Sequence, residues 1–435
     1  MKHLIQFTLT AVASLTLLSS CDKDNKEINP DINKGTDIYY ANNVETPKPG
    51  SSVPKIKNDK REAILPEDEA YVNAGNRLGF SLFNEIEKKE PKNNNTLFSP
   101  LSLEYAMGMY MLGIEDKAYD NLVSKFQFPH GNSIKLAEYY KRLSQDLITS
   151  DEYRRFFPAN AFWVDLIHKN EANPAYPQNL EKYFNASMAF ANLNDSHTIE
   201  AINKWIEAMT YGRIKDLLKL QMIDGKTHFI LVNTIYFKAP WLNPFDASRT
   251  KTGIFYGSTG KSEVHFMRDI VCGTHAEDSQ MEAITMNAGE SYDMVIVMPK
   301  NREEFSSSYF IQNDINKILD NGMTSSFDLS LPKYEFTTSS LPLSESMNNI
   351  GLNRILTSST KEKMGFNGGD NIQIVQKCFV KWDENGLEAS AATAISGNEA
   401  KPRRVVVDHP FYILIRHKLT GKILFIGHVN NIPNK

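Results

Sequence analysis

The sequence predicts an α+β fold in which strands and helices follow one another irregularly along the chain. Three observations lead to this prediction: strand patterns outnumber helical patterns, the two do not alternate, and no internal repeat is visible. A doubly wound parallel sheet would need regular alternation of strands and helices. At 435 residues the chain is long enough for one large domain or two ordinary ones.

Three stretches have the apolar spacing of helices. The first begins near Glu69, where the folded domain is predicted to start, and ends at Pro91. A second helix is predicted after Pro100, and a third over residues 203–218. The apolar positions of the first helix recur every three or four residues: Ala70, Ala74, Leu78, Leu82, Phe83 and Ile86.

Other stretches are rich in β-branched and aromatic residues and predict strands that these helices flank. Cys378 lies inside one of them, so we expect a buried core cysteine there rather than a reactive thiol. The predicted strands are 229–237, 293–298, 327–331, 372–382, 404–407 and 411–416.

The first 20 residues are predicted to be a signal peptide that is removed from the mature protein. A short positive start precedes a largely apolar run over residues 4–18, which is too short to span a membrane comfortably. Residues 18–21, Leu-Ser-Ser-Cys, resemble a bacterial lipobox, so Cys21 is the predicted lipidation site. An ordinary signal-peptidase site near Cys21 and a membrane anchor segment are the alternatives. The lipoprotein prediction implies export and a lipid anchor in the bacterial outer membrane, on its periplasmic or cell-surface side.

Residues 21–68 are predicted to be the lipidated cysteine followed by a flexible tether. From Asp22 to about Glu67 the chain is rich in Asn, Asp, Lys, Pro, Gly and Ser and has few periodic apolar residues. Such a composition cannot bury enough apolar surface to offset the entropy of ordering. The folded domain is therefore predicted to occupy residues 69–435.

Composition excludes several classes of function. A formal net charge of -4 with interspersed signs leaves no basic surface, so no nucleic-acid partner is expected. The three cysteines are an odd number and rule out a disulfide framework of the small secreted kind. Neither a metal site nor a cofactor is predicted.

The chain is also predicted not to be an enzyme. It has no His-Glu-x-x-His motif, no Gly-x-Ser-x-Gly elbow and no phosphate-binding glycine-rich loop. Asp408 and His409 could suggest half of a catalytic triad, but neighbours in a strand point to opposite faces and are expected not to orient one another. Cys272 or Cys378 as a nucleophile would need a nearby base and an electropositive site. An unrelated exported hydrolase remains a distant alternative.

A run of small side chains occupies residues 384–394, read as Glu-Asn-Gly-Leu-Glu-Ala-Ser-Ala-Ala-Thr-Ala. Small uncharged side chains suit a segment that is an exposed loop and can later enter a sheet, because each buried charge would cost several kcal/mol. Strand alternation puts one set of residues on the face to be buried: Leu387, Ala389, Ala391, Thr393 and Ile395. The opposite face carries Glu388, Ser390, Ala392, Ala394 and Ser396.

This run resembles the hinge of a serpin reactive loop, and several motifs elsewhere support the resemblance. Residues 408–415 resemble the family's carboxy-terminal signature, and 425–429 resembles its closing Phe-x-Gly-x-Val strand. Residues 95–102 are similar to the segment that opens the shutter region. Further matches are found at 160–162, at 203–206 with Thr210 and Ile214, and at 231–238 with Trp241, Phe245, Thr250 and Phe255. The resemblance extends from about residue 70 to the end of the chain.

The resemblance implies a serpin fold, with mixed and antiparallel β-sheets surrounded by helices and an exposed, insertable reactive loop at about residues 384–404. It implies that a target protease cleaves the loop, which then enters the large sheet as an extra strand while the acyl-enzyme persists. The implied hinge comprises Glu384, Gly386, Leu387, Glu388, Ala389, Ser390, Ala391, Ala392 and Thr393. Four polar residues correspond to the shutter, and a tryptophan marks the opening at the top of the sheet: Ser99, Ser102, Asn233, Gln376 and Trp241.

Two positions depart from the family pattern. Gln376 stands where many relatives have histidine, which implies a changed hydrogen-bond network without pH sensitivity. Leu387 stands at the first inserting position, where Thr, Ser or Val is usual. Its size is expected to slow the first step of insertion.

The reactive bond has two candidate positions. Counting forward from Glu384 gives Ala400-Lys401, whereas counting back from Pro410 gives Glu399-Ala400. Ala400 at the cleavage position would suit elastase-like proteases with small pockets, and Glu399 would suit a Glu-preferring enzyme. Cleavage after Lys401 is disfavoured because proline follows it.

The sequence thus supports two classes of function. The first is a monomeric suicide inhibitor that forms covalent acyl complexes with serine proteases, and cysteine proteases are a wider possibility. The second is a non-inhibitory serpin-fold surface lipoprotein with a binding role, which fold alone does not exclude.

Overall fold

The computed structural model describes most of the region predicted to fold and one short segment before it. The signal peptide, Cys21 and residues 388–401 lie outside the described residues, and with them the reactive-bond candidates Glu399, Ala400 and Lys401. What the sequence predicts for these residues therefore stays a prediction. The described residues are 37–42, 64–90, 93–147, 155–223, 225–301, 315, 319–338, 340–357, 361–366, 371–387 and 402–434.

The strands form two large sheets. Sheet A has the order β1 (Tyr39–Tyr40), β4 (Ala186–Ala191), β3 (Arg155–Asp165), β5 (Thr227–Pro240), β13 (Asn371–Gln376) and β12 (Leu341–Pro342), with β15 (Gly386–Leu387) also paired to β5. Sheet B has the order β16 (Arg403–Val406), β10 (Met323–Pro332), β7 (Gly260–Glu277), β8 (Met281–Ala288), β9 (Tyr292–Pro299), β17 (Phe411–His417), β18 (Ile423–Val429) and β2 (Thr96–Phe98), with β6 (Lys251–Gly257) paired to β7. A separate antiparallel pair joins β11 (Tyr334–Thr337) to β14 (Phe379–Trp382).

Helices surround these sheets, which confirms the predicted α+β class and the mixed and antiparallel sheets. All the predicted strands are present, and the stretch predicted at 372–382 is divided into β13 and β14. Within the described ranges, no helix is both long and apolar enough to span a membrane. The helices are α1 (Asp68–Lys89), α2 (Pro100–Met111), α3 (Asp116–Phe126), α4 (Ser133–Leu147), α5 (Ala175–Phe184), α6 (Ser196–Met209), α7 (Ser344–Asn349) and α8 (Leu352–Thr357).

The boundaries predicted for the third helix, 203–218, are wrong, because the observed helix α6 begins and ends earlier. The Asp195 side chain accepts a hydrogen bond from the backbone N–H of His197 and caps the start. At the other end the Thr210 hydroxyl donates to the Ile206 carbonyl at 2.8 Å, and Tyr211 and Gly212 take positive φ angles of 53° and 79°. Residues 210–223 therefore form a connector between α6 and β5.

Two apolar clusters cover the two faces of sheet A. The front cluster lies between the sheet and α6 and contains Trp163 and Trp205, both 1 % exposed or less. The main core lies on the rear face and extends into sheet B. Alternate residues of β5 divide between them: Ile230 and Val232 pack in the front cluster, and Leu231, Ile235 and Ala239 in the main core.

The segment 37–42 falls within the stretch predicted to be a flexible tether, and the structure corrects that prediction for these residues. Tyr39 and Tyr40 pair antiparallel with Phe190 and Ala189 of β4, so β1 is the outermost strand of sheet A. The signal for it is weak in the sequence, because two aromatic residues among polar ones show no strand periodicity.

Candidate functional site

The hydrogen-bond ladder of β5 is interrupted on the side that faces β13 and β14. Thr227–Leu231 pair in parallel with Asn371–Ile374 at one end, and Ala239 and Pro240 pair antiparallel with Leu387 and Gly386 at the other. Between them, residues 232–238 have no ladder partner on this side among the described strands, although they pair with β3 on the opposite side. We call this gap between β5 and β14 the slot. At roughly 3.3 Å per residue the slot is about 23 Å long.

The chain reverses direction at the upper end of the slot. Asp383 and Gly386 exchange backbone hydrogen bonds of 3.1 and 3.2 Å, which makes Glu384-Asn385 a two-residue hairpin turn. Gly386 and Leu387 then run antiparallel to β5, as the first two residues of a new strand. Leu387 is predicted from the sequence to lie in an exposed loop, but the structure places its side chain in the main core at 2 % exposure.

Gly386 is required at this turn for two reasons. Its φ angle is 147°, a conformation that side-chain-bearing residues rarely adopt. A Cβ atom there would lie 2.5 Å from the Cα of Pro240 and 2.6 Å from the carbonyl oxygen of Ala239. The new strand can therefore approach β5 closely only because this residue has no side chain.

Glu384 attaches the turn to neighbouring elements. Its carboxylate accepts a hydrogen bond from the Thr250 hydroxyl at 2.7 Å and forms an ion pair with Lys333 at 2.8 Å. Its carbonyl accepts from the backbone N–H of Phe245 at 2.8 Å. Burial raises the pKa of this carboxyl, but the hydrogen bonds from Lys333 and Thr250 outweigh burial and leave the pKa below its ordinary value.

Trp241 packs against the same turn. Its indole Nε1 donates to the carbonyl of Asp383 at 2.8 Å, and its backbone N–H donates to the carbonyl of Asn385 at 3.1 Å. The ring is 2 % exposed and makes an edge contact with Phe245, with ring centroids 6.3 Å apart. The residue expected to mark the opening of the sheet thus lies directly at the top of the slot.

We expect the Glu384→Gln variant to lose about 1–2 kcal/mol of stability, because the amide keeps a bond from Thr250 but loses the charge opposite Lys333. The lowered pKa means that the wild-type contribution is fully present above about pH 4.5 and is lost as the pH falls through the folded-state value. Thermal unfolding from pH 7 to pH 3 measures this. The difference in melting temperature between the wild type and Glu384→Gln should shrink at the acid end of that range. A difference that stays constant with pH would contradict the proposed role of the Glu384 charge. Glu335→Gln, which removes an exposed ion pair with Lys381, is the control.

The lower part of the slot meets a buried polar cluster, and the structure brings the four shutter residues together there. The Gln376 side chain bonds both backbone groups of Ser99: its oxygen accepts from the N–H at 2.7 Å, and its amide donates to the carbonyl at 2.9 Å. The Ser99 hydroxyl accepts from the N–H of Ser102 at 3.2 Å and donates to the Leu424 carbonyl at 2.7 Å. Ser99 thereby caps α2 and joins it to β13.

The same cluster reaches β5 on the other side of the slot. The Ser102 hydroxyl donates to the Asn233 carbonyl at 3.0 Å, and the Asn233 amide donates to the side-chain oxygen of Asn160 on β3. Asn160 in turn donates to the carbonyl of Phe184 at 2.7 Å. Asn160 belongs to the stretch 160–162 that matches the family, but its role in the shutter is not predicted from the sequence, because its partners are distant in the chain. Strands β5 and β13 are thus both held to α2 through the shutter.

We expect the Gln376→Ala variant to lose about 2–4 kcal/mol, because two buried backbone groups of Ser99 would lose their hydrogen-bond partner. Gln376→His is the matched variant, since a neutral imidazole also donates and accepts. The free energy of unfolding lost in Gln376→His should be smaller than in Gln376→Ala. This loss should increase below about pH 6.5, as the imidazole ring gains a second proton. Urea unfolding between pH 8 and pH 5 measures both variants, and equal, pH-independent losses would contradict this account of the shutter.

Cys378 borders the shutter and is buried, as the sequence predicts. Its thiol contacts the Gln376 side-chain oxygen at 3.3 Å, its exposure is 3 %, and burial raises its pKa. A protonated buried thiol is a poor nucleophile. Cys272, on β7, is exposed.

The far end of the proposed reactive loop is anchored on sheet B. Arg403, at the start of β16, donates two hydrogen bonds to the Glu277 carboxylate at 2.8 and 3.0 Å, and Lys300 lies 2.7 Å from the same group. These bonds lower the pKa of Glu277 to about 2. The intervening residues 388–401 therefore connect Leu387 in sheet A to a charged anchor on sheet B.

Asp408 and His409 contact each other, contrary to the expectation from strand alternation, because both lie outside the strands, with a bend at His409. The Nδ1 atom of His409 is 3.0 Å from the Asp408 carboxylate, and its Nε2 atom is 2.9 Å from the Pro299 carbonyl oxygen. Both ring nitrogens are thus occupied, and neither is left to activate a nucleophile. Within the described residues, no group of three or more His, Cys, Asp and Glu side chains is placed to hold a metal ion.

Comparison with known proteins agrees with this architecture. Residues 73–432 match the family model described as "Serpin (serine protease inhibitor)". An uncharacterized serpin-like protein of Thermococcus kodakarensis is 28% identical over 408 residues, covering 90% of this chain and 93% of that protein. Glia-derived nexin of Mus musculus is 28% identical over 373 residues, covering 82% and 92% respectively. The crystal structure of human thyroxine-binding globulin superposes with a TM-score of 0.75 at 21% identity, over 85% of this chain and 100% of that one.

Proposed function

This chain belongs to the serpin family, and we propose that it is a suicide inhibitor of serine proteases that traps its target by inserting the cleaved loop into sheet A. One observation carries the proposal. Gly386 and Leu387 already pair with β5 at the mouth of the slot, and these two residues run antiparallel to β5 in the direction of the slot. A cleaved loop would therefore extend a strand that has already begun.

The existing register indicates where each loop residue would lie. Leu387 is opposite Ala239 in an antiparallel ladder, so each later residue faces one residue earlier in β5. Ala391 would lie opposite Ile235, and Thr393 opposite Asn233 of the shutter. Directly opposed residues share a face, so the alternate residues from Leu387 onward would point into the main core.

Insertion would fill the interrupted ladder and release free energy. An added strand could form on the order of ten hydrogen bonds at about 0.5–1.5 kcal/mol net each, in addition to apolar burial. The uncleaved fold is therefore metastable on this proposal. A protease that is still joined to the new loop end would move with the inserting strand. If insertion is faster than deacylation the protease is trapped, and if it is slower the inhibitor is cleaved and released as a substrate.

We place the target among elastase-like proteases, because Ala400 at the cleavage position suits a small pocket. The test is to mix the chain from residue 22, which lacks the signal peptide and the predicted lipidation site Cys21, with a small-pocket elastase and to analyse the products on a denaturing gel and by mass spectrometry. A covalent adduct with cleavage after Ala400 is the expected result. Cleavage after Glu399 would redirect the search to Glu-preferring proteases.

A binding role without inhibition is the second candidate, favoured by the structural likeness to thyroxine-binding globulin. The melting temperature of the loop-cleaved protein separates the two. Insertion should raise it by many degrees, because the hydrogen bonds and apolar burial of the added strand increase the free energy of unfolding. Cleavage without an adduct and without any rise would overturn inhibition by insertion.

We also propose that the mature chain is lipid-anchored through Cys21 and exported. The lipobox-like residues 18–21 support this. Labelled fatty acid should be incorporated by the wild-type protein in bacteria and lost in Cys21→Ser, while incorporation by that variant would refute it.

A further inference from the structure

The most unexpected element of the fold is the segment Asp37–Asn42, which we call the strap. We propose that the strap is a built-in clamp that seals the outer edge of sheet A and holds α6 against the front of the sheet, and so slows opening of the slot. Its effect on stability stands by itself, whereas its effect on loop insertion rests on the proposed function.

The strap satisfies backbone groups of β4 that an edge strand would leave open. The backbone N–H of Ala41 donates to the Met188 carbonyl at 2.8 Å. The Asn42 side chain accepts from the N–H of Met188 at 2.7 Å and donates to the carbonyls of Ala186 and Pro177, both at 2.9 Å. An open sheet edge is a template for pairing with another chain. By pairing with β4, the strap also prevents such pairing at this edge.

Aromatic contacts continue from the strap across the front face of sheet A to α6. The Tyr40 ring meets Trp163 of β3 edge-on at a centroid distance of 6.0 Å, and Trp163 meets Trp205 of α6 in the same way at 6.4 Å. Ile38 and Tyr40 both pack against the front cluster. The Lys169 ammonium lies 3.3 Å from the ring centroid of Tyr39, a cation–π contact that holds the other face of the strap.

The connector that follows α6 lies over the slot. The Lys377 ammonium donates to the Lys215 carbonyl at 2.7 Å, and the Arg213 guanidinium lies 5.5 Å from the Phe379 ring centroid on β14. Residues of the connector and of the slot wall, including Ile214, Ile235 and Phe379, line one small cavity. A strand that enters the slot must displace this connector. The strap packs against the same front cluster as α6 and the connector, and we infer that it holds them in place through this cluster.

The test compares the mature wild-type chain with a variant that lacks residues 37–42 and with the double variant Tyr40→Ala, Asn42→Ala. Both variants should melt at least about 2 °C below wild type. A synthetic peptide of residues 36–43, added to the deletion variant, should bind and restore the melting temperature. The same peptide with Tyr40 and Asn42 replaced by alanine should do neither. Asp37→Ala, at an exposed position, is the control variant.

If both variants have the melting temperature of the wild type, or if the peptide does not bind, the proposal that the strap stabilises the fold is wrong. The second measurement follows the uncleaved proteins during warm incubation and records how fast a more stable, protease-resistant form appears. The deletion variant should convert several-fold faster, and equal rates would overturn the claim about the slot. If neither the wild type nor any variant traps a protease, the proposed function is wrong. The melting temperatures and the peptide binding would still test whether the strap stabilises the fold.

Discussion

The Thr393→Arg variant is expected to be cleaved by the target protease and to trap none of it. Extension of the observed register puts residue 393 opposite Asn233, on the face that packs into the main core. An arginine there would bury an unpaired charge beside the shutter, at a cost of several kcal/mol. Insertion would stop near the lower end of the slot, after about five of its seven positions are filled, and deacylation would then be faster than completion of the strand.

Ser390→Arg is the matched control, because residue 390 belongs to the opposite face of the inserting strand. The fraction of protease recovered as covalent adduct, measured on a denaturing gel at equal cleavage, should fall by at least about tenfold for Thr393→Arg and much less for Ser390→Arg, since about 1.4 kcal/mol on the insertion barrier already changes the ratio tenfold. Equal trapping by the two variants would contradict the register and the insertion model with it.

The Lys422→Met variant is expected to lose about 3–5 kcal/mol of stability, the largest loss that we predict for a single side chain. Lys422 and Glu104 of α2 form an ion pair at 2.5 Å, with side chains 0% and 1% exposed. Burial raises the pKa of Glu104 and lowers that of Lys422, while their mutual attraction opposes both shifts. Removing the lysine would leave a buried carboxyl whose remaining contact is a hydrogen bond from Tyr140 at 3.4 Å.

The double variant Glu104→Leu, Lys422→Met tests whether the loss comes from the orphaned carboxyl. It should be more stable than Lys422→Met alone, because an apolar pair needs no charge compensation. Urea unfolding of the wild type, both single variants and the double variant completes the cycle. A single variant as stable as wild type would show that the pair contributes nothing, and a double variant less stable than both would show that packing dominates.

Features that depend on local chemistry are those that the sequence predicts most accurately. Helices α1 and α2 begin within a residue of their predicted starts, since caps, prolines and apolar spacing lie within a few positions of one another. The end of α6 was predicted nine residues too late, because apolar residues continue past Thr210 in the connector and resemble more helix. Periodicity reports burial, and both a helix and a packed connector bury apolar residues.

The sequence by itself determined the α+β class, the main strands and the small-residue run after Gly386, because these depend on spacing and side-chain size along one segment. It also brought Ser99 and Gln376 into one predicted cluster, though only through resemblance to a family.

Only the tertiary structure decided that Leu387 is already buried, that Lys333 holds Glu384, that Asn160 completes the shutter and that Tyr40 belongs to sheet A. Each of these contacts joins residues from separate segments of the chain. No local pattern encodes such a contact, since its free energy exists only once the sheets have brought both partners together.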